Sequence, residues 1–147
     1  MKILKCITDE QIQSIAILAK EIWHEYFEKI IGRDQVNYMV EKFQSYNGIK
    51  QAIENGYIYL YIVDEENNIL GYTGFKLEEK KLFLSKLYIK KQYRGKGFSK
   101  ILFNEIIKIS KEYNVPSIYL TVNKHNERTI EIYKKMGFQI VESVVTD

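Results

Sequence analysis

Residues 57–64 read YIYLYIVD, and no other stretch restricts the fold as strongly. Tyr57, Tyr59 and Tyr61 alternate with Ile58, Leu60 and Ile62. That period of two puts the tyrosines on one side of a β-strand and the aliphatic residues on the other. An ENN turn leads into ILGYTGFKL, and LEEKK turns again into LFLSKLYI, so three consecutive strands are expected to form an antiparallel meander.

The flanking segments have a different period. KILKCI reads as a short first strand, after which Thr8 and Gln11 form the pattern of a capping box. Ile12, Ile15, Ala16, Ala19, Ile22, Trp23, Tyr26 and Ile30 then recur at helical spacing, which predicts a helix to about Lys29, closed by Gly32. DQVNYMVEKFQSY reads as a second helix with Val36, Met39, Val40 and Phe43 inward, and IKQAIEN as a short helical segment before Gly56. Beyond the meander a helix is expected from about Phe98 to Tyr113, with Pro116 ahead of a strand SIYLTV. Asn126 caps a further predicted helix through Met136, Gly137 stops it, and FQIVESVV ends the chain as a strand. This order implies an α/β (α+β) fold with a mixed, mostly antiparallel central sheet and helices on both faces, one domain over residues 1–147.

Composition narrows the class. With 46% apolar and 28% charged residues the chain reads as an ordinary globular protein. Its single cysteine, Cys6, excludes an intramolecular disulfide and reads as a buried structural thiol. The N-terminus becomes polar too early for a secretory signal, and no apolar run nears the ~20 residues that span a bilayer, so the expectation is a cytoplasmic protein without a membrane partner. A net charge of +3 is too mild to indicate nucleic acid. The charge is nevertheless concentrated: Lys80, Lys81, Lys86, Lys90, Lys91, Arg94, Lys96 and Lys100 fall within residues 80–100 without an acid among them.

At the centre of that cluster stands RGKGFS, residues 94–99, between a strand and a helix. Such a loop presents the unpaired amides and positive dipole of a helix N-terminus, and Gly95 and Gly97 permit the turned-in amides of an anion nest. Arg94 offers bidentate donors and Lys96 a point charge. The pattern is neither GxxxxGK[ST] nor GxGxxG, which disfavours a P-loop nucleotide enzyme and a Rossmann dehydrogenase.

LYIKKQYRGKGFSKILF resembles motif A of the GNAT superfamily of acetyl-CoA-dependent N-acetyltransferases, R/Q-x-x-G-x-G/A after a strand, through Arg94, Gly97 and Ser99. VNKHNERTIEIYKKMGF is similar to its motif B through Asn126, Tyr133, Lys135, Gly137 and Phe138, with Thr129 where alanine is usual. The resemblance implies a GNAT-like acyl-CoA N-acyltransferase fold and acetyl-CoA as co-substrate. It implies that the backbone of Leu87, Tyr88 and Ile89 pairs with the pantetheine arm. The amides of Arg94, Gly95, Lys96, Gly97, Phe98 and Ser99 then hold the pyrophosphate, Asn126 touches the cofactor, and Tyr133 protonates the departing thiolate. The thioester enters a slot between LFLSKLYI and SIYLTV. No metal and no covalent enzyme intermediate are expected.

The acceptor side is expected to be built by the first two helices and the aromatic strand faces. Trp23, Glu25, Tyr26 and Tyr72 are its candidate residues, with Phe27, Tyr38, Met39, Phe43, Tyr59 and Tyr61 as further apolar surface. Acidic Glu21, Glu25 and Glu28 suit a cationic amine, and the N-terminal pattern is similar to that of bacterial relatives of polyamine acetyltransferases, so a small primary amine such as a polyamine is the expected acceptor. No carboxylate stands on LFLSKLYI to act as general base, which leaves His24, Glu25 and Glu28 as candidates, with His125 facing solvent near the cofactor. Two alternatives stay open: acetylation of a protein or peptide, and a non-catalytic acyl-CoA sensor. A homodimer is also left open.

Overall fold

The computed structural model describes residues 1–121 together with residues 131, 133–135 and 137. A short strand β1 (Lys2–Lys5) is followed by α1 (Asp9–Ile31), α2 (Arg33–Met39), a π-turn (Val40–Gln44) and α3 (Tyr46–Glu54). The meander follows as β2 (Tyr57–Val63), β3 (Ile69–Leu77) and β4 (Lys81–Ile89). After a 3-10 turn (Lys91–Tyr93) come α4 (Phe98–Glu112) and β5 (Ser117–Tyr119). The strands pair in chain order, antiparallel from β1 to β4 and parallel between β4 and β5. This is the mixed, mostly antiparallel sheet that the element order implied.

The capping box at the start of α1 is present: Gln11 N–H donates to the Thr8 hydroxyl at 3.1 Å, while Gln11 Oε1 accepts from Thr8 N–H at 2.9 Å. Gln11 also donates through Nε2 to the Tyr61 hydroxyl at 2.8 Å, which ties the helix entrance to the sheet. Gly32, at φ +88°, ends α1 with its N–H on the Glu28 carbonyl. The expected second helix is interrupted. Its continuation after Met39 widens into the π-turn, and Ser45 then caps α3 through the Gly48 N–H at 3.2 Å. The wider turn changes which residues face inward. Val36 and Val40 are buried as expected, but Phe43 is 42% exposed and Gln44 takes the interior position instead.

The alternation in β2 sorts two cores onto the two faces of the sheet. Leu60 and Ile62 pack with Leu70, Phe75, Leu82, Leu84, Leu87 and Ile89 beneath Leu102, Phe103 and Ile106 of α4. Tyr59, Tyr61 and Tyr72 pack on the opposite face beneath Ile12, Ile15, Ala19 and Ile22 of α1 and Ile49 of α3. Burial of each such aliphatic side chain contributes about 1.5–3 kcal/mol, so either face alone holds the sheet substantially.

In β4 the apolar period slips. Leu82 and Leu84 face α4, and so do Leu87 and Ile89. The slip is a β-bulge: Gly74 pairs with Lys86 and Phe75 with Leu84, which leaves Ser85 as the extra residue. Along β4, β5 is paired only with Lys81, Leu82 and Phe83. The second half of β4 has no partner on that side among the described residues. The helix expected from Asn126 and the strand FQIVESVV fall largely outside the described residues, although residues 131 and 133–135 have helical backbone and Gly137, at φ +103°, donates its N–H to the Lys134 carbonyl.

Candidate active site

The glycine loop follows the half of β4 that, among the described residues, is paired on one side only, with β3. Gly95 and Gly97 have φ of +78° and +86°, the left-handed region that an L-residue enters only at a cost. A β-carbon on either would meet nothing within 4 Å, so the chain leaves open space in front of both. Gly97 precedes α4 directly, and no side chain caps that helix. The first amides of α4 and its positive dipole end are therefore directed at the open space, an arrangement suited to phosphate oxygens.

Arg94 is oriented differently from Lys96. Its Nε–H donates to the Ile89 carbonyl at 2.9 Å, its guanidinium lies 4.0 Å from the centre of the Tyr26 ring, and Nη2 stands 3.6 Å from Glu25. The side chain thus clamps the loop to α1, and the loop's outward donors are its main-chain amides.

Above the aromatic face, Tyr88 touches the rings of Trp23, Tyr26, Phe27 and Tyr72 at centroid distances of 5.8–6.3 Å. Tyr61, Tyr72 and Tyr88 occupy one rung across β2, β3 and β4. The next rung runs Tyr59, Gly74, Lys86. Because Gly74 has no side chain, the Tyr59 ring extends across β3, and its hydroxyl meets Lys86 Nζ at 3.1 Å. Lys86 also donates to the Ser85 hydroxyl at 3.3 Å. Burial lowers the Lys86 ammonium to about 8. Tyr72 is fully enclosed, donates to Gln44 Oε1 at 3.2 Å, and is raised well above the ordinary tyrosine range, first by burial and then by Tyr88. The indole N–H of Trp23 is near enough to favour ionisation of Tyr72, yet outside hydrogen-bonding geometry.

Tyr133 is half-buried where the two cores meet: it packs against the aliphatic cluster and senses Tyr26 and Tyr88 of the aromatic one. Burial, then Tyr26, pushes its hydroxyl up to about 12. It is accordingly a neutral donor at any physiological pH.

Each acidic residue that the sequence offers to a cationic acceptor is engaged within the chain. Glu21 stands 3.7 Å from Lys90, Glu25 pairs with Arg94, and Glu28 accepts from His24 at 3.0 Å and Arg33 at 3.2 Å. His24 and then Arg33 hold the Glu28 carboxyl below the usual range. His24 Nδ1 meets Glu28, and its Nε2 is buried without a hydrogen-bond partner.

Of the sequence candidates, Trp23, Tyr26 and Tyr72 join one cluster, Glu25 lies beside it through Arg94, and Leu87, Tyr88 and Ile89 form the strand ahead of the glycine loop. Tyr38 and Phe43 are corrected: both are exposed, with Lys42 over their rings at 5.6 and 5.1 Å. Asn126, His125, Thr129 and Phe138 lie outside the described residues. Sequence reasoning missed the side chain of Tyr88 and the inward course of Lys86. The available signal for the latter was Ser-Lys interrupting an apolar strand, the mark of the bulge.

Comparison with known proteins places this arrangement. The fold is that of N-acetyltransferases: the PaiA N-acetyltransferase of Thermoplasma acidophilum, solved in complex with coenzyme A, superposes with a TM-score of 0.86 at 21% identity over 98% of this chain and 94% of that one. The model of the acetyltransferase (GNAT) family matches residues 17–138, and the chain belongs to that family. The spermidine N(1)-acetyltransferase of the same archaeon is 23% identical across 98% of this chain and 92% of its own length. A Bacillus subtilis relative named for N-acetylation of an alanine of ribosomal protein bS18 is 26% identical over 89 residues, and the match spans only 59% of that relative's length. Among the described residues no helix is long and apolar enough to cross a membrane.

Proposed function

We propose that the protein transfers the acetyl group of acetyl-CoA to the primary amine of a small molecule, by direct attack within a ternary complex. The observation that carries this reading is the positive-φ glycine turn opening an uncapped α4, next to the half of β4 that β5 does not accompany. Acetyl-CoA, when bound, supplies an acyl group activated by a good thiolate leaving group. The amides of residues 94–99 would hold its diphosphate, and the free edge at Leu87–Ile89 would pair with the amide-bearing arm. A main-chain N–H of that edge polarises the thioester carbonyl and stabilises the developing oxyanion.

An acceptor ammonium must lose a proton before it attacks; His24, bonded to Glu28, would serve as base only if its buried Nε2 became accessible to the amine. Tyr133 donates to the departing sulfur. Against an ordinary thiol near 8.5, a phenol at about 12 would be a poor match by several units. Desolvation of the departing thiolate in an enclosed slot would raise it too and narrow that gap.

Kinship along nearly the full length with a spermidine N(1)-acetyltransferase supports a small amine, polyamines included. Acetylation of a peptide N-terminus is the second reading, favoured by the Bacillus relative. Tyr133→Phe is expected to lower turnover by about 10²–10⁴-fold while coenzyme A uptake, measured by calorimetry, persists. Uptake of acetyl-CoA without thiol release from any amine or peptide would leave only a sensor.

A further inference from the structure

We propose that the acceptor is a primary amine that also carries a carboxylate, and that Lys86 is the group that receives this carboxylate. The proposal rests on the acetyl-transfer reading above and narrows its substrate class.

The first reason is a charge count around the aromatic cluster. A polyamine needs carboxylates or unspent acceptors to replace its lost hydration. Glu21, Glu25 and Glu28 are each already paired with a cation of the chain. Lys86 is in the opposite condition. Among the described residues its Nζ has only neutral partners, the hydroxyls of Tyr59 and Ser85, and no carboxylate of theirs lies within ion-pairing distance of it. An ammonium has three donors, and two of these are spent.

The second reason is placement. Lys86 follows the bulge at Ser85, in the half of β4 beyond its pairing with β5. Two residues on, Tyr88 touches Trp23, Tyr26 and Tyr72 from the same strand face. Lys86 therefore brings an unspent donor to this strand face, and a carboxylate is the ligand group that accepts from it. The depressed titration of Lys86 has the same origin, a mostly desolvated ammonium without a counter-ion. A carboxylate arriving there relieves that penalty, whereas the second ammonium of a diamine aggravates it.

The test pairs amines of equal reach. Thiol release from acetyl-CoA is measured with 4-aminobutyrate against 1,4-diaminobutane, and with 5-aminopentanoate against 1,5-diaminopentane. The expected result is a preference of at least tenfold in kcat/KM for the carboxylated member of each pair. In Lys86→Met that ratio should fall to near one, and in Lys86→Arg it should be largely kept. A melting curve on each variant separates misfolding from altered selectivity. Preference for the diamines, or an equal loss on every amine in Lys86→Met, would overturn the role of Lys86 while leaving acetyl transfer intact. Silence from every amine in the wild type, with coenzyme A still taken up, would overturn the acetyl-transfer reading and the acceptor class with it.

Discussion

The two faces of the sheet share the same strands but are built on different terms. Beneath α4 the face is mostly hydrocarbon: Leu60, Ile62, Phe75, Leu82, Leu102 and Ile106 interlock, and the buried hydroxyls of Thr73 and Ser110 each donate to a main-chain carbonyl. Beneath α1 and α3 the face carries hydroxyls, two amides and an ammonium, joined by bonds that bridge long stretches of sequence: Gln11 to Tyr61, Gln44 to Tyr72, and Tyr59 to Lys86. Buried area chiefly stabilises the first face. The second gives up part of that gain, because buried polar atoms must be matched one by one and those of Trp23 and His24 are not. The division leaves one side of a single sheet to packing and gives the other side both packing and buried polar groups.

The hydrocarbon face should give the largest response in stability. Leu102→Ala is expected to lower unfolding free energy by about 2–5 kcal/mol in a denaturant titration, with the acceptor KM unmoved. A shift in KM of comparable size would break the division. Lys86→Met sharpens it from the other side. In the wild type the native state disfavours the Lys86 ammonium, about 8 against roughly 10.4 unfolded, so the unfolded chain binds more protons between those values and stability rises with pH across that window. The variant lacks this penalty. Its advantage should reach at most about 3 kcal/mol below pH 8 and vanish by about pH 10.4, as read from melts at a series of pH values.

Smaller effects concern the ends of the helices. Gly97→Ala places a β-carbon at φ +86° and should cost about 1–2 kcal/mol, together with a weaker uptake of coenzyme A because the added carbon enters the open space before α4. Thr8→Ala, which removes one half of the capping box, should cost about 1 kcal/mol and leave both coenzyme A uptake and acceptor selectivity alone.

The layered fold was legible because it rests on short-range periodicity. The alternation from Tyr57 to Ile62 sorted the two cores correctly, Thr8 and Gln11 formed the expected cap, and Gly95 and Gly97 turned out at positive φ. Features fixed by the insertion of one residue were not legible: the π-turn that exposes Phe43 and buries Gln44, and the bulge at Ser85 that directs Lys86 inward. Ion pairing was illegible for a related reason. Glu25 counts as an open acid until β4 and its loop fold back to bring Arg94 beside it, a meeting set by tertiary distance and not by spacing along the chain.

Gly74 is the gap through which the Tyr59 ring crosses to Lys86. A β-carbon there would fall 3.1 Å from Cε2 and Cζ of that ring, which is already held by its hydroxyl bond. Positions 59 and 74 are therefore bound to a common fate. In a randomised library, alanine at 74 with a ring at 59 requires that ring to give by a few tenths of an ångström, so alanine at 74 should be enriched where 59 has shrunk to an aliphatic, with Lys86 deprived of its nearest phenol.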